Sequence, residues 1–190
     1  MKRAVVWKVL VTLIFILFLT LATAGFDSAI TSPFHEIGHA IAARMLGLQI
    51  IKIEWSRILV ETTNDWRANV MNAAGGLFGA LILSTFYVAM THTSKFAIDR
   101  TTRHRLKRSL ISLTLVLKII IFGDIIAQLD AAILEGAFQS LYDTIVSSPL
   151  MVFIITAVFT GISFRVHMNR ISHSDLALLS SELKCDKISR

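Results

Sequence analysis

His35-Glu36-Ile37-Gly38-His39 has the pattern H-E-x-x-H, and the rest of the chain is best interpreted from this stretch outward. On an α-helix, residues four apart lie on one face, so His35 and His39 can direct their imidazoles at a single metal ion. Glu36 stands beside the first histidine and can take a proton from a metal-bound water, as a general base does. With zinc, that water ionises near neutral pH and can attack a carbonyl polarised by the same ion. The pattern therefore predicts zinc-dependent peptide hydrolysis.

The surroundings of the motif are apolar, with Phe34 before it and Ala40 and Ile41 after it. The alternative interpretation is a solvated helix start whose two histidines are unrelated. Ionisable groups are costly in an apolar helix and are usually functional there. The apolar flanks therefore favour a metal site.

The composition is that of a membrane protein: 54% of the 190 residues are hydrophobic and 17% are charged. Ordinary soluble domains have about a quarter charged residues. We therefore expect an all-α integral membrane protein in a lipid bilayer. The net charge of +6 lies between apolar runs and in the C-terminal tail, which suits anionic lipid better than nucleic acid. Because Cys185 is the only cysteine, a metal must be held by histidine and carboxylate.

The apolar runs predict about four to five membrane segments with a short β-hairpin after the H-E-x-x-H helix. Residues 1–25 form a first membrane helix, for which the alternative is a signal peptide. The other parts that we distinguish are a metalloprotease-like membrane core, a last membrane helix and a polar basic tail, at 26–135, 136–168 and 169–190.

Local signals set the expected bounds of the H-E-x-x-H helix. Thr31 or Ser32 is a suitable N-cap, Pro33 suits the first turn, and Gly47 is a natural C-terminal stop. From Leu48 to Thr62 the pattern changes to the alternation of a strand or hairpin. Two roles stay open for this segment: a surface connector, or an edge strand that holds an extended peptide by backbone hydrogen bonds.

Several other polar residues are candidates for a site or for a structural role. Asp124 lies well inside an apolar run and Asp130 nearer its end, and acidic groups at such depth are functional candidates. A structural pair with Lys118 is the alternative. We interpret Asn72 as a helix cap rather than a substrate contact, and His167 and His173 as surface residues. Residues 92–108 are expected to form a basic loop.

The stretch from Pro33 to Ala40 resembles the zinc-binding helix of the site-2 protease family of intramembrane metalloproteases, and in particular its small, compact bacterial branch. A strand-like segment, a glycine-rich helix (Ala74-Gly75-Gly76) and a helix with an intramembrane aspartate follow in the family's order. The resemblance covers residues 30 to 135. It implies an enzyme in which His35 and His39 bind zinc and Glu36 activates water.

The resemblance also implies an aspartate as third ligand. Gly123-Asp124 is similar to the Gly-Asp of the compact branch, and Leu129-Asp130 to the family's Leu-Asp-Gly without its glycine. We choose Asp124, with Asp130 as the runner-up. The implied substrate is a membrane protein or peptide, cleaved within or beside the cytoplasmic membrane of a prokaryote. The alternative function is a non-catalytic membrane binding or assembly factor of the same fold. Membrane orientation stays open.

Overall fold

The computed structural model describes residues 2–55, 57–61, 65–100 and 104–171. Within these ranges the chain is mostly helical, with one small antiparallel sheet of two strands. The elements in chain order are α1 (Lys2–Phe26), a π-helical turn (Asp27–Thr31), α2 (Ser32–Met45), β1 (Ile50–Glu54), β2 (Arg57–Val60), α3 (Trp66–Arg100), α4 (His104–Ala137), α5 (Gln139–Val146) and α6 (Pro149–Ile171).

Among the described residues, four helical stretches are long and apolar enough to cross a membrane, which confirms the coarse prediction of a helical, membrane-like fold. They also carry many large apolar side chains on their outer faces, as expected where lipid rather than water is the solvent. The four stretches are Leu13–Met45, Trp66–Ile98, Ser109–Ala137 and Pro149–Asn169.

The first of these stretches joins two elements that the sequence suggested were separate. α1 continues through the π-helical turn directly into α2, so the H-E-x-x-H helix has no free N-terminus. Thr31 is itself helical, at φ −80° and ψ −38°, and its side chain caps nothing. The predicted N-cap at Thr31 or Ser32 is therefore wrong, because a helix that continues has no first-turn N–H groups to satisfy.

The other end of α2 was predicted correctly. Gly47 adopts a φ of +71° and donates its N–H to the Arg44 carbonyl at 3.2 Å, while Leu48 donates to the Ala43 carbonyl at 2.8 Å. This pair of bonds is a Schellman motif, which stops the helix and turns the chain. The β1–β2 hairpin follows at once, as the alternation predicted, with Ile53 opposite Ile58 and a bulge between Ile50 and Lys52.

The core lies where α3, α4, α1 and α6 meet. One apolar cluster joins Ala80 and Leu83 of α3 to Ile121 and Ile125 of α4. A second joins Leu19 of α1 to Ile119 and Ile120 of α4, and Phe164 of α6 packs against it. Because α4 takes part in both clusters, it is the central helix, and three of its polar residues, Asp124, Gln128 and Glu135, are buried inside the bundle.

Two further expectations differ from the structure. The predicted basic loop 92–108 is largely helical, since α3 extends to Arg100 and α4 begins at His104. His167 is not a surface residue: it is 5% exposed, and its ring hydrogen bonds to the Tyr87 hydroxyl at 2.8 Å and to the Ser163 carbonyl at 2.8 Å. The tail that contains His173 and Cys185 lies outside the described residues.

Candidate functional site

Two histidines and a glutamate meet in the interior, between α2 and the end of α4. The Nε2 atoms of His35 and His39 lie 3.3 Å and 3.5 Å from Oε2 of Glu135. All three side chains are buried, and their ligand atoms lie within 4.8 Å of one another. The predicted pair of histidines is thus brought to one point by the i, i+4 spacing of α2, and a carboxylate from another helix completes the group.

Hydrogen bonds on the far side of each ring fix its orientation. Nδ1 of His39 lies 2.8 Å from the Met71 carbonyl oxygen, which can only accept, so this nitrogen carries the hydrogen. Nδ1 of His35 lies 2.8 Å from Oε1 of Gln128. In the neutral form, both rings therefore direct the Nε2 lone pair at Glu135. Metal-binding histidines are held in the same way, with the second ring nitrogen donating to an oxygen acceptor.

The Oε2 atom of Glu135 is buried and has no hydrogen-bond donor among the described residues. Two imidazole lone pairs and a carboxylate oxygen facing one another repel unless a cation or a proton lies between them. Two histidines and one glutamate form a known ligand set of catalytic zinc. The residues present therefore fit a divalent metal, although the geometry alone does not single out zinc.

Glycine creates the room for the two rings. A β-carbon at Gly75 of α3 would lie 2.8 Å from Nε2 of His35 and even closer to the ring of His39. Likewise, a β-carbon at Gly38 of α2 would lie 2.6 Å from the Ala74 carbonyl oxygen. The close approach of α2 and α3 thus depends on glycine on both helices, as is common between membrane helices.

Asp124 does not belong to this group. On α4 it is eleven residues before Glu135, which is about 16 Å along the axis. It is 0% exposed and accepts a hydrogen bond from Thr31 Oγ1 at 2.5 Å. Asp130 is also outside the group, although it lines the cavity described below; it points about 140° away from Glu135 around the helix. The structure thus corrects the position that the sequence suggested for the third carboxylate.

The sequence does contain a signal for Glu135. Asp124, Gln128 and Glu135 are spaced by four and seven residues, so they form one stripe on α4, with the first and last only about 20° apart around the axis. A polar stripe on an otherwise apolar helix marks the face that lies inside a bundle. The resemblance implies an aspartate as third ligand, and Glu135 was therefore not predicted.

The group opens into a cavity of about 700 Å³. Glu36 is half-buried and lines this cavity together with the two histidines and Glu135. A second cavity, of about 820 Å³, runs along β2. The two cavities share five lining residues and so form one groove from the hairpin to the histidines; the shared residues are Arg57, Ile58, Met71, Asn72 and Gln139.

Tyr142 belongs to the short helix α5, which the sequence did not predict, and lies beside the Glu135 carboxylate. Burial raises the pKa of the Tyr142 hydroxyl, and the negative charge of Glu135 and the hydrogen bond that the hydroxyl donates to it raise this pKa further. Tyr142 therefore remains a protonated donor at neutral pH. The Tyr142 hydroxyl thus lies beside the Glu135 carboxylate, whose Oε2 faces the histidines.

Asn72 links α3 to the start of α5. Asn72 is the seventh residue of α3, inside the helix, and its side-chain amide donates a hydrogen bond to Oε1 of Gln139. The predicted capping role is therefore wrong. The bond instead holds α5, and with it Tyr142, against the shared groove.

We compared the chain with protein-family models, with curated proteins and with solved structures, and none of the three comparisons gave a match.

Proposed function

We propose that this protein is a membrane-embedded, zinc-dependent hydrolase that cleaves peptide bonds in membrane proteins or peptides. The observation that supports this most directly is the convergence of His35, His39 and Glu135. Their acceptor atoms face one another in a buried site, and Glu36 lines the same cavity. A non-catalytic metal site would have no use for an additional half-buried carboxylate beside its ligands.

Each residue has a distinct part in the proposed reaction. His35, His39 and Glu135 would hold the metal beside the cavity that Glu36 lines. Zinc supplies an ionisable water and a Lewis acid for the scissile carbonyl. Glu36 takes the proton from the attacking water and passes it to the leaving amine, so that the peptide C–N bond breaks and no net proton is left on the glutamate.

The groove along β2 fits an extended substrate. Glu61 donates its N–H to the Gln49 carbonyl at 2.9 Å, towards the partner strand. Because alternate residues of a strand direct their N–H groups to opposite sides, those of Ile58 and Val60 point away from β1. Ile58 lines both cavities. The free edge of β2 can therefore add a peptide strand that leads towards Glu36.

Replacing Glu36 by Gln tests the proposed reaction. The amide keeps the size of the side chain but cannot accept a proton, so zinc content should stay at that of the native protein while hydrolysis of a model transmembrane peptide is lost. Equal cleavage by the native and Glu36→Gln proteins in detergent would exclude the assignment. Zinc binding without cleavage by either protein would favour the non-catalytic assembly factor.

A further inference from the structure

A second polar cluster lies beside the metal site, between the π-helical turn and α4. Thr31 donates to Oδ2 of Asp124 at 2.5 Å, and Gln128 donates through Nε2 to Oδ1 of Asp27 at 2.9 Å. The carboxyl groups of Asp27 and Asp124 are themselves neighbours. The cluster therefore consists of two hydrogen bonds between the π-helical turn and α4, each of which involves one carboxyl group.

Asp124 is the more deeply buried of the two acids. It is 0% exposed, whereas Asp27 is half-buried and reaches the cavity. In the part of the chain that the structure describes, no donor group pairs with Oδ1 of Asp124, and no lysine or arginine pairs with either acid. An unpaired carboxylate in such a place is far more costly than a neutral carboxylic acid.

The direction of the hydrogen bonds shows which acid is the acceptor. Oε1 of Gln128 accepts from Nδ1 of His35, so the amide nitrogen of Gln128 must point at Asp27. Asp27 is thus the acceptor of this bond, as an ionised carboxylate is. Two neighbouring carboxyl groups in a buried site do not both ionise readily, and they share one proton instead.

We propose that Asp124 is a proton-binding site: it is held as a neutral carboxylic acid that donates its proton to the carboxylate of Asp27. The chain of hydrogen bonds then runs from Asp124 to Asp27 and, through Gln128, to His35 and the metal site. The proton removes the cost of the buried charge. It also leaves Asp27 ionised, as the orientation of Gln128 requires. This assignment does not depend on peptide hydrolysis.

The π-helical turn supports a dedicated site. A π turn has one more residue than an α turn and is frequently found at functional sites. Here it contains both Asp27 and Thr31, the two residues that face Asp124 and Gln128. The local departure from α-helical geometry therefore falls at the point where the cluster is formed.

Infrared spectroscopy of the purified, metal-free protein, with ¹³C-labelled aspartate, tests the proposal directly. At neutral pH the native protein should show the carbonyl absorption of a protonated aspartic acid. Asp124→Asn should abolish this band, and Asp130→Asn should leave it unchanged. Absence of the band from the native protein would overturn the proposal, even if Asp124→Asn failed to fold. So would a band that survives in Asp124→Asn.

The competing occupant of such a cluster is a monovalent cation. A proton-binding site predicts that replacing sodium by choline leaves the melting temperature of the native protein unchanged. A rise in melting temperature with sodium that disappears in Asp124→Asn would overturn the proposal in favour of a cation site. Because neither measurement uses activity, failure of the proton site and failure of the proposed hydrolase are separate results.

Discussion

The backbone of Gly75 lies against the imidazole of His39 so closely that a β-carbon at position 75 would overlap the ring. The same β-carbon would lie 2.8 Å from Nε2 of His35. One hydrogen atom in place of a methyl group therefore decides whether both ligand nitrogens can face Glu135.

Gly75→Ala should therefore displace the two histidine rings and weaken metal binding. We expect a loss of zinc affinity of about 10- to 100-fold, the range found when a group that orients a metal ligand is removed. Zinc titration of the purified variant measures this effect. Gly161→Ala is the matched control, because a β-carbon there meets nothing within 4 Å. Equal zinc affinities of the two variants would show that the α2–α3 contact relaxes without disturbing the site.

Glu135→Gln should lower zinc affinity by more than about tenfold, because an amide oxygen is a poorer ligand than a carboxylate and leaves the site one charge short. The comparison is Asp130→Asn, which changes a carboxylate in the same cavity but outside the ligand group. Titration with zinc distinguishes the two. If Asp130→Asn rather than Glu135→Gln lost the metal, Glu135 would not be a metal ligand.

Ile58→Pro should reduce kcat/KM for a peptide substrate by about fivefold, which corresponds to one net backbone hydrogen bond of about 1 kcal/mol. Proline removes the N–H that points away from β1, where the strand needs no donor for the hairpin. Ile58→Ala removes the side chain but keeps the N–H. A loss of the same size in both variants would assign the effect to the side chain and would leave the edge strand without support.

Tyr142→Phe should weaken zinc binding by about tenfold, because hydrogen-bond partners of a ligating carboxylate orient it towards the metal. Tyr87→Phe makes the same chemical change at a tyrosine that bonds to His167 instead. We expect zinc affinity to be native in Tyr87→Phe. Native affinity in Tyr142→Phe as well would mean that Glu135 is held without α5.

The parts of the fold that the sequence predicted depend on local patterns. The i, i+4 spacing of His35 and His39 and the positive φ that Gly47 can adopt are properties of short segments, and both are found in the structure. The alternation after Gly47 likewise predicted the hairpin. Such features need no knowledge of what packs against them.

The parts that were missed depend on packing between distant segments. Thr31 has the composition of an N-cap, but its hydroxyl bonds to Asp124, 93 residues further along the chain. His167 follows the last apolar run and has polar neighbours, which favoured a surface position, yet it is buried against Tyr87 of α3. For Glu135, the decisive fact is which end of α4 lies beside α2, and no local pattern fixes this choice.

The π-helical turn between α1 and α2 sets the rotation of α1 relative to the two histidines. A π turn differs from an α turn by one inserted residue. An insertion at this point rotates everything before it by about 100° relative to the histidines and leaves the H-E-x-x-H helix intact. The extra residue therefore sets the direction in which Asp27 faces, towards Gln128 and Asp124, while the residues that face the metal site keep their α-helical spacing.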